Sequence, residues 1–100
     1  MSAKITIDRK QIAEFCHRHR ARKLSLFGSV LRDDFRPDSD VDVLIEFEPD
    51  ASVGFLHLAA MEHELSSILK RRVDLRTPPE LSRYFREEVL QSAEVQYAQR

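Results

Sequence analysis

Short apolar runs separated by polar turns predict the strands of this chain. Lys23 to Phe27 and Val41 to Phe47 are runs of strand length, and Val73-Asp74-Leu75 has the same character. The tail alternates weakly, with Val95 and Tyr97 as its apolar positions, which indicates a short edge strand or a segment lying loosely against the sheet. The pattern therefore predicts three to four strands.

Between these runs, apolar residues recur at helical spacing. Asp8 has the position of an N-cap, and the helix that it opens is expected to end near Ala21. A second helix, capped by Asp50 or Ser52, is predicted to run to about Leu69. The residues predicted to face the core from these two helices are Ile12, Phe15, Cys16, His19, Phe55, Leu58, Leu65, Ile68 and Leu69.

Two further helices complete the pattern. Gly28-Ser29 is a turn that opens a short helix, and Thr77-Pro78-Pro79-Glu80 has the form of a capping box with proline in the first turn. This last helix is predicted to direct Leu81, Tyr84, Phe85 and Val89 inward. About four helices alternating with three to four strands predict an α/β (α+β) fold, in which helices cover a small mixed β-sheet.

Composition and charge limit the classes of function that this chain is expected to have. With 100 residues, of which 42% are hydrophobic and 33% charged, residues 1–100 are expected to form one domain with a modest core. The formal net charge of −1 gives no broad attraction for nucleic acid, and Lys70-Arg71-Arg72 is interpreted as solvated surface. Cys16 is the one cysteine, which favours a buried thiol in a reducing cytoplasm. No apolar segment approaches membrane-spanning length, so no membrane association is expected.

Two carboxylates at the start of the second strand are the main candidates for chemistry. Asp40 and Asp42 are two residues apart, so both side chains leave the strand on one face, toward the Gly28-Ser29 turn. A divalent cation relieves their repulsion, and Mg²⁺ suits one or two carboxylates completed by water and substrate phosphates. Glycine lets the backbone approach a phosphate closely, and the Ser29 hydroxyl adds a donor. Taken alone, the acidic segment also fits a solvated turn.

The spacing resembles a known signature. Gly28-Ser29, ten residues, and then Asp40-x-Asp42 resemble the motif of the minimal nucleotidyltransferases in the DNA polymerase β nucleotidyltransferase superfamily. Asp74, between apolar neighbours, resembles the third acidic residue of that family. The resemblance implies the nucleotidyltransferase fold and transfer of a nucleoside monophosphate from a triphosphate. For the short members that serve as antitoxins, it implies adenylylation (AMPylation) of a HEPN-domain toxin on tyrosine, with ATP as substrate and the toxin as partner in a hetero-oligomer.

The resemblance also implies the role of each residue. Asp40 and Asp42 would bind two Mg²⁺ ions, and Asp74 would complete the ion that holds the acceptor, so the three aspartates are the expected catalytic and metal-binding residues. Gly28 and Ser29 would contact the triphosphate of ATP.

Arg32 and Ser39 are further candidates for the nucleotide site. Arg32 either reaches a phosphate or forms an ion pair with a nearby aspartate. Ser39 is expected to form a hydrogen bond within its own loop and to orient Asp40. Asp33 and Asp34 depart from the motif, whose commonest form has glycine after Gly-Ser-x-x-Arg. They impair activity if they face the nucleotide and are harmless if they face solvent or pair with arginine.

Alternatives to this protein-modifying enzyme remain open. A catalytically silent relative would neutralise its partner by contact alone, and a different nucleotidyltransferase would use a small-molecule acceptor. The core is small, so the base of the nucleotide is expected to stay largely exposed. Discrimination between ATP and GTP is then expected to be weak without a partner.

Overall fold

A four-stranded mixed sheet forms the centre of the computed structural model, which describes residues 5–33, 35–36 and 38–99. The strands are β1 (Ala21–Phe27), β2 (Val41–Phe47), β3 (Val73–Arg76) and β4 (Glu94–Ala98). Their order is β3-β2-β1-β4, with β1 antiparallel to β2 and β4, and β2 parallel to β3. The mixed sheet of the predicted fold class is confirmed, β2 has its predicted bounds, and β4 is the predicted edge strand.

Three α-helices lie within the described residues, fewer than the four or so predicted. They are α1 (Arg9–Arg18), α2 (Phe55–Leu69) and α3 (Arg86–Ser92), and two short 3-10 helices cover Gly28–Leu31 and Pro78–Glu80. The difference arises because the Gly28-Ser29 turn opens a single 3-10 turn of four residues instead of an α-helix.

Helix α1 begins as predicted and ends early. Asp8 caps it, since Asp8 Oδ1 accepts hydrogen bonds from the N–H groups of Lys10 and Gln11 at 3.1 and 3.2 Å. Arg20 has a left-handed backbone with φ of 59°, which stops the helix after Arg18 and turns the chain into β1. The predicted end near Ala21 is therefore wrong, and Ala21 is the first residue of β1.

Helix α2 begins later than predicted. Its N-cap is Gly54, and Asp50, one of the two predicted caps, instead pairs with Arg20, with Asp50 Oδ2 and Arg20 Nη2 2.7 Å apart. Phe55, the first residue of α2, was predicted to face inward. It is 83% exposed, so the first turn of the helix lies outside the core. The helix ends at Leu69 as predicted, because Lys70 adopts φ of 56°.

The segment after β3 contains the largest local error of the sequence prediction. The capping box at Thr77 is present, since the Thr77 N–H donates to Glu80 Oε1 at 3.0 Å. It opens only a 3-10 turn, because the chain becomes extended at Leu81, whose side chain is buried. The α-helix starts five residues later, so Tyr84 is 92% exposed and Phe85 is also exposed, where inward packing was expected.

The hydrophobic core lies between the sheet and helices α1 and α2. It contains Ile12, Phe15, Cys16, Leu24, Leu26, Val41, Val43, Ile45, Met61, Leu65, Leu69, Val73 and Leu75. Burial raises the pKa of the Cys16 thiol to about 12, which makes it an inert core residue, as predicted. Among the described residues, the helices are too short or too polar to cross a membrane.

Candidate active site

The register of three strands places Asp42 at the centre of the predicted site. Asp42 lies opposite Phe27, the last residue of β1, and is in register with Asp74 on the parallel strand β3. Gly28 follows Phe27 directly, so the glycine turn and Asp74 flank Asp42 on either side. Residues far apart in sequence thus meet at one edge of the sheet.

Gly28 is in contact with the Asp42 side chain. A Cβ atom added at Gly28 would lie 2.4 Å from Asp42 Oδ2, which is closer than real contacts allow. The φ angle of Gly28 is 76°, a left-handed conformation that side chains disfavour. Both features favour glycine at this position, and the absence of a side chain leaves room for the Asp42 carboxylate.

The charged form of the Asp42 carboxyl is destabilised by burial and by two neighbouring carboxylates. Burial raises its pKa above the ordinary value, the negative charges of Asp74 and Asp40 raise it further, and the charges of Arg76 and Arg32 oppose the rise. Asp40 and Asp74 therefore act on Asp42 as like charges. The described side chains leave part of this repulsion uncompensated.

Two arginines that the sequence analysis did not assign to the site hold its outer carboxylates. Arg76 Nε donates to Asp74 Oδ1 at 3.0 Å, and its Nη2 donates to Asp74 Oδ2 at 3.3 Å, which makes a two-pronged ion pair. Arg72 Nε lies 3.1 Å from Asp40 Oδ1. The signal was present in the sequence, because Asp74 and Arg76 alternate on one face of β3 and Arg72 has the same parity just before the strand.

Helix α2 fixes the backbone on both sides of Asp74. β3 is an edge strand, and its outward N–H groups are satisfied by side chains. The Val73 N–H donates to Ser66 Oγ at 3.1 Å, and the Leu75 N–H donates to Glu62 Oε2 at 2.8 Å. Glu62 and Ser66 are four residues apart on one face of α2, a spacing that was visible in the sequence. They hold Asp74 at its register position.

The remaining predicted residues lie around this centre. Ser29 is in the 3-10 turn, where its carbonyl oxygen accepts from the Arg32 N–H at 2.9 Å. Ser39 Oγ accepts from the Arg36 N–H at 3.2 Å, which is a bond within its own loop. Its role in orienting Asp40 stays a prediction. Asp33 is exposed, whereas Asp34 lies outside the described residues.

The donor chemistry of the three aspartates fits Mg²⁺. Mg²⁺ takes oxygen ligands and few protein carboxylates, and repulsion among these carboxylates already raises the pKa of Asp42. The described part of the chain has no group of three or more His, Cys, Asp or Glu side chains arranged as a ready metal cage. Asp40 and Asp74 each form an ion pair with an arginine, and each carboxylate keeps lone pairs beyond those that the arginine uses.

Two cavities flank the aspartates. One of about 220 Å³ lies between α2 and β3, and its lining includes Asp74, Phe55, Leu58, Ala59 and Glu80. The other, an open groove of about 660 Å³, lies on the β1 side, where Gly28 and Arg32 line it together with residues of α3. A carboxylate site with one cavity on each side is suited to bringing two substrates together.

Comparison with known proteins identifies the family of this chain. Residues 8–95 match the family described as nucleotidyltransferase domain. The chain belongs to this family. It is a nucleotidyltransferase, and the aspartates and the Gly28 turn all lie within the matched residues.

This nucleotidyltransferase is similar to proteins named for the same chemistry. It is 37% identical over 71 residues to the protein adenylyltransferase MntA of Thermococcus cleftensis, covering 71% of this chain and 67% of that protein. A solved structure described as a minimal nucleotidyltransferase is 36% identical, with a TM-score of 0.70 and 85% of each chain covered.

A more distant structural neighbour shows the fold alone. It belongs to the complex of a tri-AMPylated Shewanella oneidensis HEPN toxin with MNT antitoxin, with a TM-score of 0.65 at 17% identity. The match covers 90% of this nucleotidyltransferase and 69% of that chain.

The raised pKa of Asp42 predicts a pH-dependent gain in stability for an Asp42→Asn variant. The folded-state pKa lies above that of the unfolded chain, which is about 3.9, so charged Asp42 destabilises the fold at neutral pH. This destabilisation is relieved as the pH falls through the raised pKa. In EDTA, the free energy of unfolding of Asp42→Asn should therefore exceed that of wild type at pH 7.5, and the difference should narrow toward pH 4.

Asp50 provides a control of opposite sign. A hydrogen bond and the positive charge of Arg20 lower the pKa of Asp50, so Asp50→Asn should be less stable than wild type at pH 7.5, with a loss that persists down to about pH 4 and fades only as the pH falls further through the lowered pKa. Urea unfolding at several pH values measures both variants. If both variants change the free energy of unfolding by the same amount at every pH, the electrostatic explanation for Asp42 is wrong.

Proposed function

We propose that this nucleotidyltransferase transfers AMP from ATP to a tyrosine hydroxyl of a HEPN-domain toxin and so acts as the antitoxin of a toxin–antitoxin pair in the cytoplasm. The observation that carries the proposal is the position of Asp42, in register with Asp74 and in contact with Gly28. The names of the similar proteins support the choice of AMP and of a protein acceptor.

Each residue of the site has a task in this reaction. Asp40, Asp42 and Asp74 would hold Mg²⁺, which supplies positive charge to the reacting phosphate oxygens when it is bound. Gly28 gives the triphosphate access to the backbone of the turn, and Ser29 offers its N–H and hydroxyl groups. The Arg32 guanidinium, whose charge already acts on Asp42, adds positive charge on the nucleotide side.

The transfer step itself exchanges one bond for another. The acceptor oxygen forms a bond to the α-phosphorus of ATP, and the bond from that phosphorus to the pyrophosphate oxygen breaks. Asp74 would accept the hydroxyl proton, and the pyrophosphate leaves with the electron pair of the broken bond. Arg76 donates one hydrogen bond to each Asp74 oxygen, so the proton would go to a lone pair of Asp74 that Arg76 leaves open.

The small cavity beside Asp74 supports an aromatic side chain as the acceptor. Its volume of about 220 Å³ is below the 300–1,000 Å³ range typical of small-molecule sites, so it suits one side chain better than a whole metabolite. Phe55, Leu58 and Ala59 form an apolar wall, and Asp74 provides the polar end. Phe55 and Leu56 are both more than 80% exposed and extend this wall outward, where a protein partner would cover them.

A label-transfer assay tests the proposed function. Wild-type protein with Mg²⁺ and ATP labelled at the α-phosphate should label a cognate HEPN-domain protein, and replacing the acceptor tyrosine by phenylalanine should remove the label. Asp74→Asn should lower the rate at least about 10²-fold, the lower end of what a general base contributes. Asp50→Asn is the matched control, because Asp50 is an exposed aspartate paired with Arg20.

A contact-only antitoxin is the second candidate, and the ion pairs at the site favour it. Arg72 and Arg76 already pair with Asp40 and Asp74, as they would on a surface without catalysis. Cell growth in the presence of the toxin separates the two functions. Protection by Asp74→Asn equal to that by wild type, without label on the toxin, would establish neutralisation by contact and overturn the enzymatic proposal.

A further inference from the structure

A pair of histidines joins the C-terminal end of α1 to the N-terminal end of α2. His19 is the C-cap of α1, and His57 lies in the first turn of α2. His19 Nδ1 and His57 Nε2 are 3.0 Å apart. Strand β1 separates His19 from the Gly28 turn, and its seven residues span about 20 Å. The histidine pair is therefore distinct from the active site.

A carboxylate fixes the proton position on His19. Glu64 Oε1 lies 2.9 Å from His19 Nε2, and Arg18 donates to the other oxygen of Glu64. Hydrogen bonds from Arg18 and His19, opposed by partial burial, lower the pKa of Glu64. The carboxylate is therefore charged at neutral pH and only accepts hydrogen bonds. Nε2 of the neutral His19 ring then carries the proton, so Nδ1 presents its lone pair toward His57.

Packing also holds the His19 ring in place. The side chain is only 16% exposed, and its ring lies against the ring of Phe15 with the centroids 4.7 Å apart. The backbone N–H of His19 donates to the Phe15 carbonyl at 3.1 Å. His57 is exposed. The pair thus offers one rigidly placed nitrogen and one nitrogen that is able to adjust beside solvent.

Two facing imidazole nitrogens with a carboxylate behind one of them match the geometry of a metal site. Zn–N bonds of about 2.0–2.1 Å place two nitrogens of a tetrahedral site about 3.3 Å apart, so the observed 3.0 Å requires only a small widening. A metal-binding histidine usually donates its other ring N–H to a carboxylate, as His19 does to Glu64. The described residues form no cage of three or more His, Cys, Asp or Glu ligands, so water would fill the remaining positions.

We propose that His19 and His57 bind a borderline divalent cation of the Zn²⁺ class, which links α1 to α2. The ligand atoms are His19 Nδ1 and His57 Nε2, and Glu64 orients the His19 ring. The cation takes the place of the proton between the two rings, and nitrogen ligands favour Zn²⁺ over Mg²⁺. Helix α2 also carries Glu62 and Ser66, which hold β3 in register, so the cation would stabilise the helix that supports this strand. The inference does not depend on the proposed nucleotide or acceptor.

Titration with Zn²⁺, with Mg²⁺ in excess to compete for the aspartates, tests the site. Calorimetry should show one Zn²⁺ equivalent bound by wild type, and thermal melting should show a raised Tm. His57→Gln should weaken this binding at least about tenfold, the lower limit for losing even an outer partner of a metal ligand. The variant should fold, because His57 is exposed. His63→Gln is the matched control, since His63 is an exposed histidine on the same helix, and it should bind Zn²⁺ as wild type does.

Nitrogen-15 NMR of the imidazole rings locates the bound cation. Zn²⁺ should shift the signals of His19 Nδ1 and His57 Nε2, and Mg²⁺ should shift neither. Glu64→Gln should keep the same two ligands with an affinity about 10- to 100-fold lower. Equal Zn²⁺ affinities of His57→Gln and wild type, or ring signals of both histidines that Zn²⁺ leaves unchanged, would overturn the metal site. The pair would then be a hydrogen bond between two helices and nothing more.

Discussion

An Asp42→Asn variant is expected to lose AMP transfer by about 10³-fold or more while remaining folded. Asp42 is the half-buried carboxylate between Asp40 and Asp74, and its charge is the one that the fold leaves least compensated. A metal-bound charge at the reacting phosphate supplies several kcal/mol, and each 1.36 kcal/mol corresponds to a factor of ten in rate. Initial rates of label transfer, with thermal melting of the same samples, measure both parts of this prediction.

The control for this variant is Asp38→Asn. Asp38 is an exposed aspartate in the loop that precedes β2, and its backbone carbonyl, not its carboxylate, accepts a hydrogen bond from Arg72. It should retain nearly wild-type transfer. If Asp42→Asn keeps more than a tenth of the wild-type rate, Asp42 is not a ligand of the reacting centre. If it unfolds, its carboxylate has a structural role that the raised pKa does not indicate.

A Gly28→Ala variant is expected to lose AMP transfer by about 10²-fold or more and to lose only modest stability. The left-handed φ of 76° costs roughly 1–2 kcal/mol once a side chain is present. The new Cβ would meet the end of the Asp42 side chain, which is able to rotate away, so the fold tolerates the change. That rotation moves the Asp42 carboxylate away from Asp74, so we expect activity to be lost. Transfer rates and melting temperatures measure the two effects.

Gly54→Ala is the matched control. An added Cβ at Gly54 has nothing within 4 Å, and its φ of −85° is open to any residue. Alanine is a poorer N-cap than glycine, so Gly54→Ala should lose at most about 1 kcal/mol of stability and leave transfer unchanged. The double variant Gly28→Ala/Asp42→Asn tests the cause, since it should transfer no more slowly than Asp42→Asn alone. Additive losses would show that Gly28 acts on the nucleotide independently of Asp42.

The sequence by itself determined the strand that carries Asp42 and the fold class. The apolar run from Val41 to Phe47 predicts a strand, and Asp40 and Asp42 then lie on one face because side-chain direction in a strand depends only on parity. The N-cap at Asp8 and the capping box at Thr77 were also predictable from the sequence, because each one joins groups that are three residues apart or fewer. The fixed spacing from Gly28-Ser29 to Asp40 was sufficient to indicate the family.

Only the tertiary structure decided what surrounds those aspartates. The contact of Gly28 with Asp42, the register of Asp42 with Asp74, and the two ion pairs with arginine all join elements or faces whose pairing no local pattern specifies. The same holds for the segment after β3. Its capping box and apolar spacing favour a continuous helix, but burial of Leu81 in an extended conformation outweighs that local preference and moves the helix to Arg86. Phe85, which a continuous helix was predicted to direct inward, instead lines the groove beside the active site.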